Sequence, residues 1–329
     1  MFIAPVKQPA RSPVRNPEPR PPLSAATLGA LCAVGAAAAF TLGDMAIKSL
    51  SQSYALHQVT LIRSFLALGL LIGLVMPLTG GLAQLRTRRP VIHLLRGTFL
   101  LGANMAFFMA LAAMPIAEAT AIFFISPMVI AVFSVIFLSE TVGPRRWAAI
   151  GVGFLGVLIM IRPGTAAFTP VALLPLRAAT CYAALHMLTR RLGATDSAAT
   201  MAVYMQVAFL GFSLLIGLGI GDGRFDAGTH PSLSFLFRAW VWPDPGDAFL
   251  FLLTGIGSAI GGFLISQAYR ICEAALIAPL EYVAMPMAIF WGFVIFAEWP
   301  DRLAWTGIFL IVGSGIYMIW RETRAAGRL

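Results

Sequence analysis

Ionisable side chains inside apolar segments are the residues of this sequence best suited to chemistry. Glu281 lies within a long apolar run and is followed by Tyr282. A carboxyl group in apolar surroundings favours its neutral form unless a cation lies nearby, and such a group usually faces a polar interior. We therefore predict that Glu281 binds a proton or a substrate cation. The alternative is a structural ion pair, or a protonated acid that is hydrogen-bonded to a neighbouring helix.

Three further charged residues interrupt apolar runs. Asp44 and Arg63 lie near the same end of two consecutive apolar segments, so the two side chains can pair as either a static contact or a gate. Arg177 lies near the start of a later segment. There it either attracts an anionic substrate group or extends to the membrane surface.

Uncharged polar groups accompany these charges. Tyr182 and His186 are four residues apart, which places them on one face of a helix. Further hydroxyl, amide and aromatic groups inside apolar runs are Tyr269, Tyr282, Asn104, Gln206, Gln267, Phe107, Phe123, Phe124 and Trp291. Together they predict a wet interior that orients a polar solute between aromatic walls. For each one alone, a helix-to-helix hydrogen bond is the competing interpretation.

The composition requires a membrane to surround these segments. Hydrophobic residues make up 59% of the 329 residues, charged residues only 11%, and the mean hydropathy is +0.85. A soluble domain carries about 25% charged residues. The composition therefore predicts an all-α membrane protein, since lipid offers the backbone no hydrogen-bond partners. The net charge of +9 comes from basic residues in short loops, which indicate topology and not nucleic-acid binding.

Apolar runs of spanning length predict ten transmembrane helices. They lie near residues 25–47, 56–77, 91–113, 117–138, 146–162, 170–190, 198–220, 248–269, 274–297 and 303–320. The predicted organisation begins with a disordered cytoplasmic tail over residues 1–22. Two five-helix repeats follow, over residues 23–163 and 164–321, and a second cytoplasmic tail covers residues 322–329. The proline-rich first segment contains no apolar stretch, so it is not interpreted as a signal peptide.

A duplicated segment supports the two repeats. Residues 127–137 and 286–296, which are 159 positions apart, share six of eleven residues. Each copy begins with a proline, Pro127 or Pro286, and a proline inside a span permits a kink. The two prolines are therefore predicted to be paired hinges.

The loop charges predict that the second repeat is inverted. Five spans per repeat reverse the direction of the second copy in the membrane. An orientation with both termini in the cytoplasm places most loop arginines inside, as the positive-inside rule requires. These arginines are Arg86, Arg88, Arg89, Arg145, Arg146, Arg190, Arg191 and Arg270. The predicted location is the bacterial inner membrane.

The chain resembles the drug/metabolite transporter superfamily in its EamA-domain branch. The resemblance rests on residues 112–121 (AAMPIAEATA), on Phe137-Leu-Ser-Glu140 followed by Trp147, and on glycine-rich residues 151–156. The second half repeats the outline with the set Pro286, Glu298, Trp305, Gly307 and Gly313. Residues 44–48 (DMAIK), with Arg63, look more like the group of bacterial riboflavin and S-adenosylmethionine uptake carriers. The resemblance implies secondary transport without ATP through a cavity between the halves.

The functional expectation is a transporter of a small amphipathic metabolite that works by alternating access. Two transport alternatives remain, which are uptake of a vitamin or nucleotide-like cofactor and export of an amino acid or drug. An intramembrane enzyme or a scaffold is the non-transport alternative. The expected partners are a small-molecule substrate, the lipid bilayer and possible coupling protons, with the chain as a monomer or homodimer. No P-loop, HExxH or metal-spaced cluster occurs, so no cofactor, metal or catalytic residue is predicted.

Overall fold

The computed structural model describes residues 25–79, 81–85, 87, 90–138, 143–166, 168–192, 197–272, 277 and 280–326. Within these ranges every regular element is helical, which confirms the all-α prediction. The helices are α1 Ala25–Leu50, α2 Leu56–Thr79, α3 Pro90–Leu111, α4 Ile116–Phe123, α5 Ser126–Leu138, α6 Pro144–Ile161, α7 Leu173–Leu192, α8 Ala198–Ile220, α9 Pro231–Phe237, α10 Ala248–Ile271, α11 Ala284–Phe296 and α12 Arg302–Ala326.

Each of the ten predicted spans contains a described helix, and the fourth contains both α4 and α5. Seven helical stretches of the described chain are long and apolar enough to cross a bilayer, and those in α7, α11 and α12 are shorter. Large apolar side chains such as Leu78, Leu218 and Phe309 are exposed on the bundle surface. Such a surface suits lipid, because lipid imposes no cost on exposed hydrocarbon. The chain is therefore a multi-pass membrane protein.

The fourth and ninth predicted spans are both broken just before a proline. Phe124 and Ile125 form a turn between α4 and α5, ahead of Pro127. Tyr282 and Val283 form a turn before α11, ahead of Pro286. A proline lacks the N–H that would bond to the carbonyl four residues earlier, so it weakens the preceding turn. The structure thus contains a helix break at each predicted hinge.

Close packing of small residues joins the two sequence halves. Helix α1 packs along α10, where a Cβ at Gly257 would lie only 2.6 Å from the carbonyl oxygen of Ala39. Helix α6 packs along α12 in a similar way, and a Cβ at Gly156 would lie 3.0 Å from the carbonyl oxygen of Gly307. Glycines at these positions let helix backbones approach each other, which is a common means of association in membranes.

The helix ends on one side of the bundle meet in a single surface. Helices α1, α3 and α11 end there, and α2, α4, α10 and α12 begin there. Contacts of Lys48 and Ile116 with Glu298, and of Tyr54 with Asp247, hold these ends together. The loop charges predict that this side faces the outside of the cell, and it is termed the predicted outer face.

Candidate functional site

The two helix breaks touch each other inside the bundle. The ring centroids of Phe124 and Tyr282 are 4.9 Å apart, and the Tyr282 hydroxyl donates a 3.5 Å hydrogen bond to the carbonyl oxygen of Phe124. Both residues are buried. A carbonyl at a helix break has lost its regular helical partner and needs another. The first half therefore supplies an acceptor and the second half supplies the donor.

Aromatic rings extend from this contact towards α7 and α3. Phe123 lies 5.4 Å from the ring of Tyr182 and 5.3 Å from the ring of Phe107, measured between centroids. Glu281 interacts electrostatically with the hydroxyl groups of Tyr182 and Tyr282. These residues are termed the central cluster, which consists of Glu281, Tyr282, Tyr182, Phe107, Phe123 and Phe124. It presents one acid and two hydroxyls beside flat apolar rings.

A second polar group contacts Phe108, the residue that follows Phe107 in α3. The guanidinium carbon of Arg63 is 5.1 Å from the ring centroid of Phe108 on α3 and 4.9 Å from that of Phe209 on α8. Arg63 is only 6% exposed and interacts electrostatically with Asp44 on α1. The structure thus places these two predicted residues within electrostatic range of each other, with Arg63 the more deeply buried.

Ion pairs close the predicted outer face between the two halves. Lys48 Nζ lies 2.5 Å from Glu298 Oε1 and donates a 2.7 Å hydrogen bond to the carbonyl oxygen of Met114. The other carboxylate oxygen of Glu298 accepts a 3.3 Å hydrogen bond from the amide of Ile116, the first residue of α4. Glu298 therefore joins α1, α4 and α11 at one point, and its negative charge suits a helix N-terminus.

A second ion pair lies beside the first. Arg162 at the end of α6 donates a 2.5 Å hydrogen bond to Asp301 at the start of α12. This bond, with a backbone hydrogen bond from the amide of Ala304, holds the pKa of Asp301 below its usual range. Sequence reasoning missed both closing pairs, although the repeated acid at Glu298 and the isolated Lys48 were visible signals.

Residues between α8 and α10 cover part of the predicted outer face. The Tyr54 hydroxyl donates a 2.6 Å hydrogen bond to Asp247, and burial is the main cause that raises the pKa of Tyr54. Gln58 donates a 2.5 Å hydrogen bond to the carbonyl oxygen of Val241, and the ring of His57 stacks on Trp240 at 5.7 Å. This covering segment contains α9 and restricts access to the start of α2.

The remaining predicted residues make other contacts, are exposed, or lie outside the described residues. The Asn104 side chain donates a 3.0 Å hydrogen bond to the carbonyl oxygen of Leu100 within α3. Arg177 is exposed on α7, and Trp291 is partly buried against Phe290 at 5.0 Å. The side chains of His186 and Tyr269, and all of Glu140, are outside the part of the chain that the structure describes.

The helical bundle, its lipid-compatible surface and its polar interior suit a membrane transporter, and the comparisons with known proteins support that class. Residues 27–162 match the EamA-like transporter family. The sequence resemblance to EamA-type permeases of the drug/metabolite transporter superfamily is therefore confirmed.

Relatives and one solved structure cover most of the chain. It is 29% identical over 301 residues to the riboflavin transporter of Rhizobium johnstonii, with 92% of this chain and 94% of that protein aligned. It is 27% identical over 246 residues to the S-adenosylmethionine uptake transporter of Rickettsia prowazekii, with 74% and 77% aligned. It is 25% identical over 285 residues to the pseudopaline exporter of Pseudomonas aeruginosa, with 86% and 93% aligned.

The solved structure, a protein crystal structure, is 22% identical and has a TM-score of 0.62. The match covers 92% of this chain and 99% of that one. This likeness supports the fold alone.

Proposed function

We propose that this protein is a secondary transporter that takes up a flat heteroaromatic metabolite of the vitamin or nucleotide-like cofactor class. The observation that carries the proposal is the contact between the two helix breaks at Phe124 and Tyr282, with Glu281 beside it. Discontinuous helices near the middle of a bundle commonly form substrate sites in secondary transporters, where the two repeats meet.

The central cluster suits a flat polar ring system. Phe107, Phe123 and Tyr182 offer ring faces and edges for stacking, while Glu281 and the tyrosine hydroxyls fix the orientation of hydrogen-bonding groups. The relatives named for riboflavin and S-adenosylmethionine transport share this ligand chemistry, since each of these compounds contains a flat nitrogen heterocycle. The name of the S-adenosylmethionine uptake transporter also supports uptake as the direction.

The closing ion pairs supply a gate for alternating access. Lys48 with Glu298, and Arg162 with Asp301, join elements of the two halves at the predicted outer face. Opening towards that face requires these pairs to separate. The helix breaks before Pro127 and Pro286 supply points where the helices can bend during this opening. The proposal includes ten crossings in two inverted repeats, over residues 23–163 and 164–321. It also places both termini in the cytoplasm of a bacterium.

Export is the second candidate, and the relationship to the pseudopaline exporter favours it. A growth test separates the two directions. One test expresses the protein in a bacterium that can neither synthesise nor take up riboflavin, and the other expresses it in an S-adenosylmethionine auxotroph. At least one of the two strains is expected to regain growth, the first on micromolar riboflavin or the second on S-adenosylmethionine. Failure of both rescues, together with greater resistance to a toxic metabolite analogue, would replace uptake with export.

Replacing both hinge prolines with alanine is expected to slow transport by about tenfold, because continuous helices would resist the bending that gating requires. The initial uptake rate per molecule of purified Pro127→Ala/Pro286→Ala protein in liposomes measures this effect. Pro163→Ala, at an exposed position after α6, is the matched control and should transport normally. A wild-type rate in the double variant would contradict the hinge role.

A further inference from the structure

The guanidinium group of Arg63 contacts two aromatic rings, and its planar edge carries the N–H groups. Phe108 and Phe209 lie within about 5 Å of its central carbon. Its Nε atom is buried and has no hydrogen-bond partner among the described residues. A buried cationic N–H group without a hydrogen-bond partner is costly in a bilayer. Because an arginine presents its N–H groups in a planar fork, this edge matches a carboxylate.

Asp44 supplies the opposite charge at a similar depth. Asp44 lies six residues before the end of α1, and Arg63 lies seven residues after the start of α2. At about 1.5 Å per residue, both are roughly 10 Å below the predicted outer face. Asp44 is only partly buried and interacts electrostatically with Arg63. The site therefore offers an acceptor for a cation and a donor for an anion.

Hydroxyl groups next to Arg63 add further donors. The side-chain oxygens of Thr60 and Ser64 on α2 are buried and have no hydrogen-bond partner among the described residues. The side chains of Thr60, Arg63 and Ser64 project from consecutive turns of one helix. Hydroxyls and a guanidinium together are the donor set that a carboxylate prefers.

We propose that Asp44 and Arg63 bind the amino-acid end of the substrate, with the ammonium group at Asp44 and the carboxylate at Arg63. A lone anion would be repelled by Asp44, and a lone cation would be repelled by Arg63. A zwitterion satisfies both charges in one molecule. This inference rests on the proposed transport function and narrows its substrate class.

The central cluster is close enough for one elongated ligand to reach both sites. Phe107 and Phe108 are consecutive residues of α3, and their ring centroids are 6.3 Å apart. Phe107 belongs to the central cluster, while Phe108 covers Arg63. A metabolite with a heteroaromatic ring at one end and an amino-acid group at the other fits this arrangement. Riboflavin lacks the second group, whereas S-adenosylmethionine has both.

A pair of ligands that differ at one end tests the inference. S-adenosylhomocysteine and 5′-methylthioadenosine are both adenosine thioethers, but only the first carries an amino-acid end. Equilibrium binding to the full-length protein in lipid nanodiscs is measured for both ligands and for riboflavin. Wild type is expected to bind S-adenosylhomocysteine at least about tenfold more tightly than 5′-methylthioadenosine, because hydrogen bonds to charged groups are strong.

Asp44→Asn and Arg63→Gln are each expected to weaken S-adenosylhomocysteine binding by about tenfold to a hundredfold. Binding of 5′-methylthioadenosine should stay within about twofold of wild type, since that ligand does not reach the charged groups. The second ligand also verifies that each variant is folded. Asp222→Asn and Arg224→Gln are matched controls, because these residues form an exposed ion pair. Neither control should change binding of either ligand.

Equal affinity of wild type for the two thioethers, or equal weakening of both by the variants, would overturn the inference. Binding of riboflavin alone would also overturn it and leave the proposed function standing. Binding of none of the three ligands would count against the proposed function itself, and the inference would fall with it.

Discussion

Replacing Glu281 with glutamine is expected to lower the uptake rate by at least about tenfold and to make the rate independent of pH. The size of the effect follows from the coupling between proton binding and substrate binding, because coupling between two ligands is typically worth about 1–3 kcal/mol. Glu281 precedes Tyr282 in the chain and interacts electrostatically with Tyr182 and Tyr282, near the point where the two helix breaks meet. Glutamine keeps the shape of the side chain but cannot exchange a proton. If Glu281 carries the coupling proton, uptake by the variant should no longer respond to a pH gradient.

Initial uptake rates in liposomes at several internal and external pH values measure this effect. Asp222→Asn is the control, since it removes a carboxylate from an exposed loop without approaching the central cluster. Tyr182→Phe separates orientation from coupling, and it should weaken transport while the pH response remains. An unchanged pH profile in Glu281→Gln would contradict proton coupling through this residue.

Replacing Lys48 with methionine is expected to favour a state that is open at the predicted outer face. The Lys48 and Glu298 side chains are 10% and 24% exposed, so their pair is partly shielded from water. Loss of one partner should therefore lower the free energy that favours the closed state by about 1 to 4 kcal/mol. This range lies between the values for fully exposed pairs and for buried pairs. Glu298→Gln should have a similar effect, and it also weakens the acceptor for the Ile116 amide.

Spin labels at the exposed positions Ser53 and Trp299 can report the opening as a distance distribution. The longer-distance population should increase in each single variant. The double variant should show less than the sum of the two shifts, because both substitutions remove the same interaction. Arg224→Met, at an exposed ion pair, is the control. Additive shifts would indicate that Lys48 and Glu298 act independently and would refute the gate.

The helices were predictable from local sequence, because apolar runs of spanning length have few alternatives in lipid. The helix breaks near Phe124 and Tyr282 were also indicated locally, through Pro127 and Pro286. The inverted arrangement and the number of crossings stay predictions, since the structure contains no membrane and the apolar stretches in α7, α11 and α12 are short.

The contacts between the halves were not predictable from one sequence. Lys48 and Glu298 are 250 residues apart, and Arg162 and Asp301 are 139 apart. Such pairing depends on how the helices assemble, which local patterns do not encode. The covering segment with α9 was missed for a related reason. Its mixed composition marked it only as a loop, while its anchors to Tyr54 and Gln58 come from a distant part of the chain.

The candidate site shows the same division between local and long-range information. Glu281, Tyr182 and Tyr282 were selected because polar groups are costly inside spans, and the structure brings them together. Asn104 satisfied the same criterion, but its side chain bonds to its own helix. The enclosure of Arg63 by Phe108 and Phe209 required the packing of three helices. Polarity inside a span therefore indicated candidate residues without indicating their partners.

Transport by the purified protein in liposomes tests the central claim most directly. Vesicles are given a pH gradient and labelled riboflavin or S-adenosylmethionine, and their contents are recovered and analysed by mass spectrometry. At least one of the two compounds should accumulate chemically unchanged, faster than in protein-free vesicles and in vesicles with Glu281→Gln. Accumulation of neither compound above the protein-free level, or recovery of a chemically converted product, would contradict the proposed transport function.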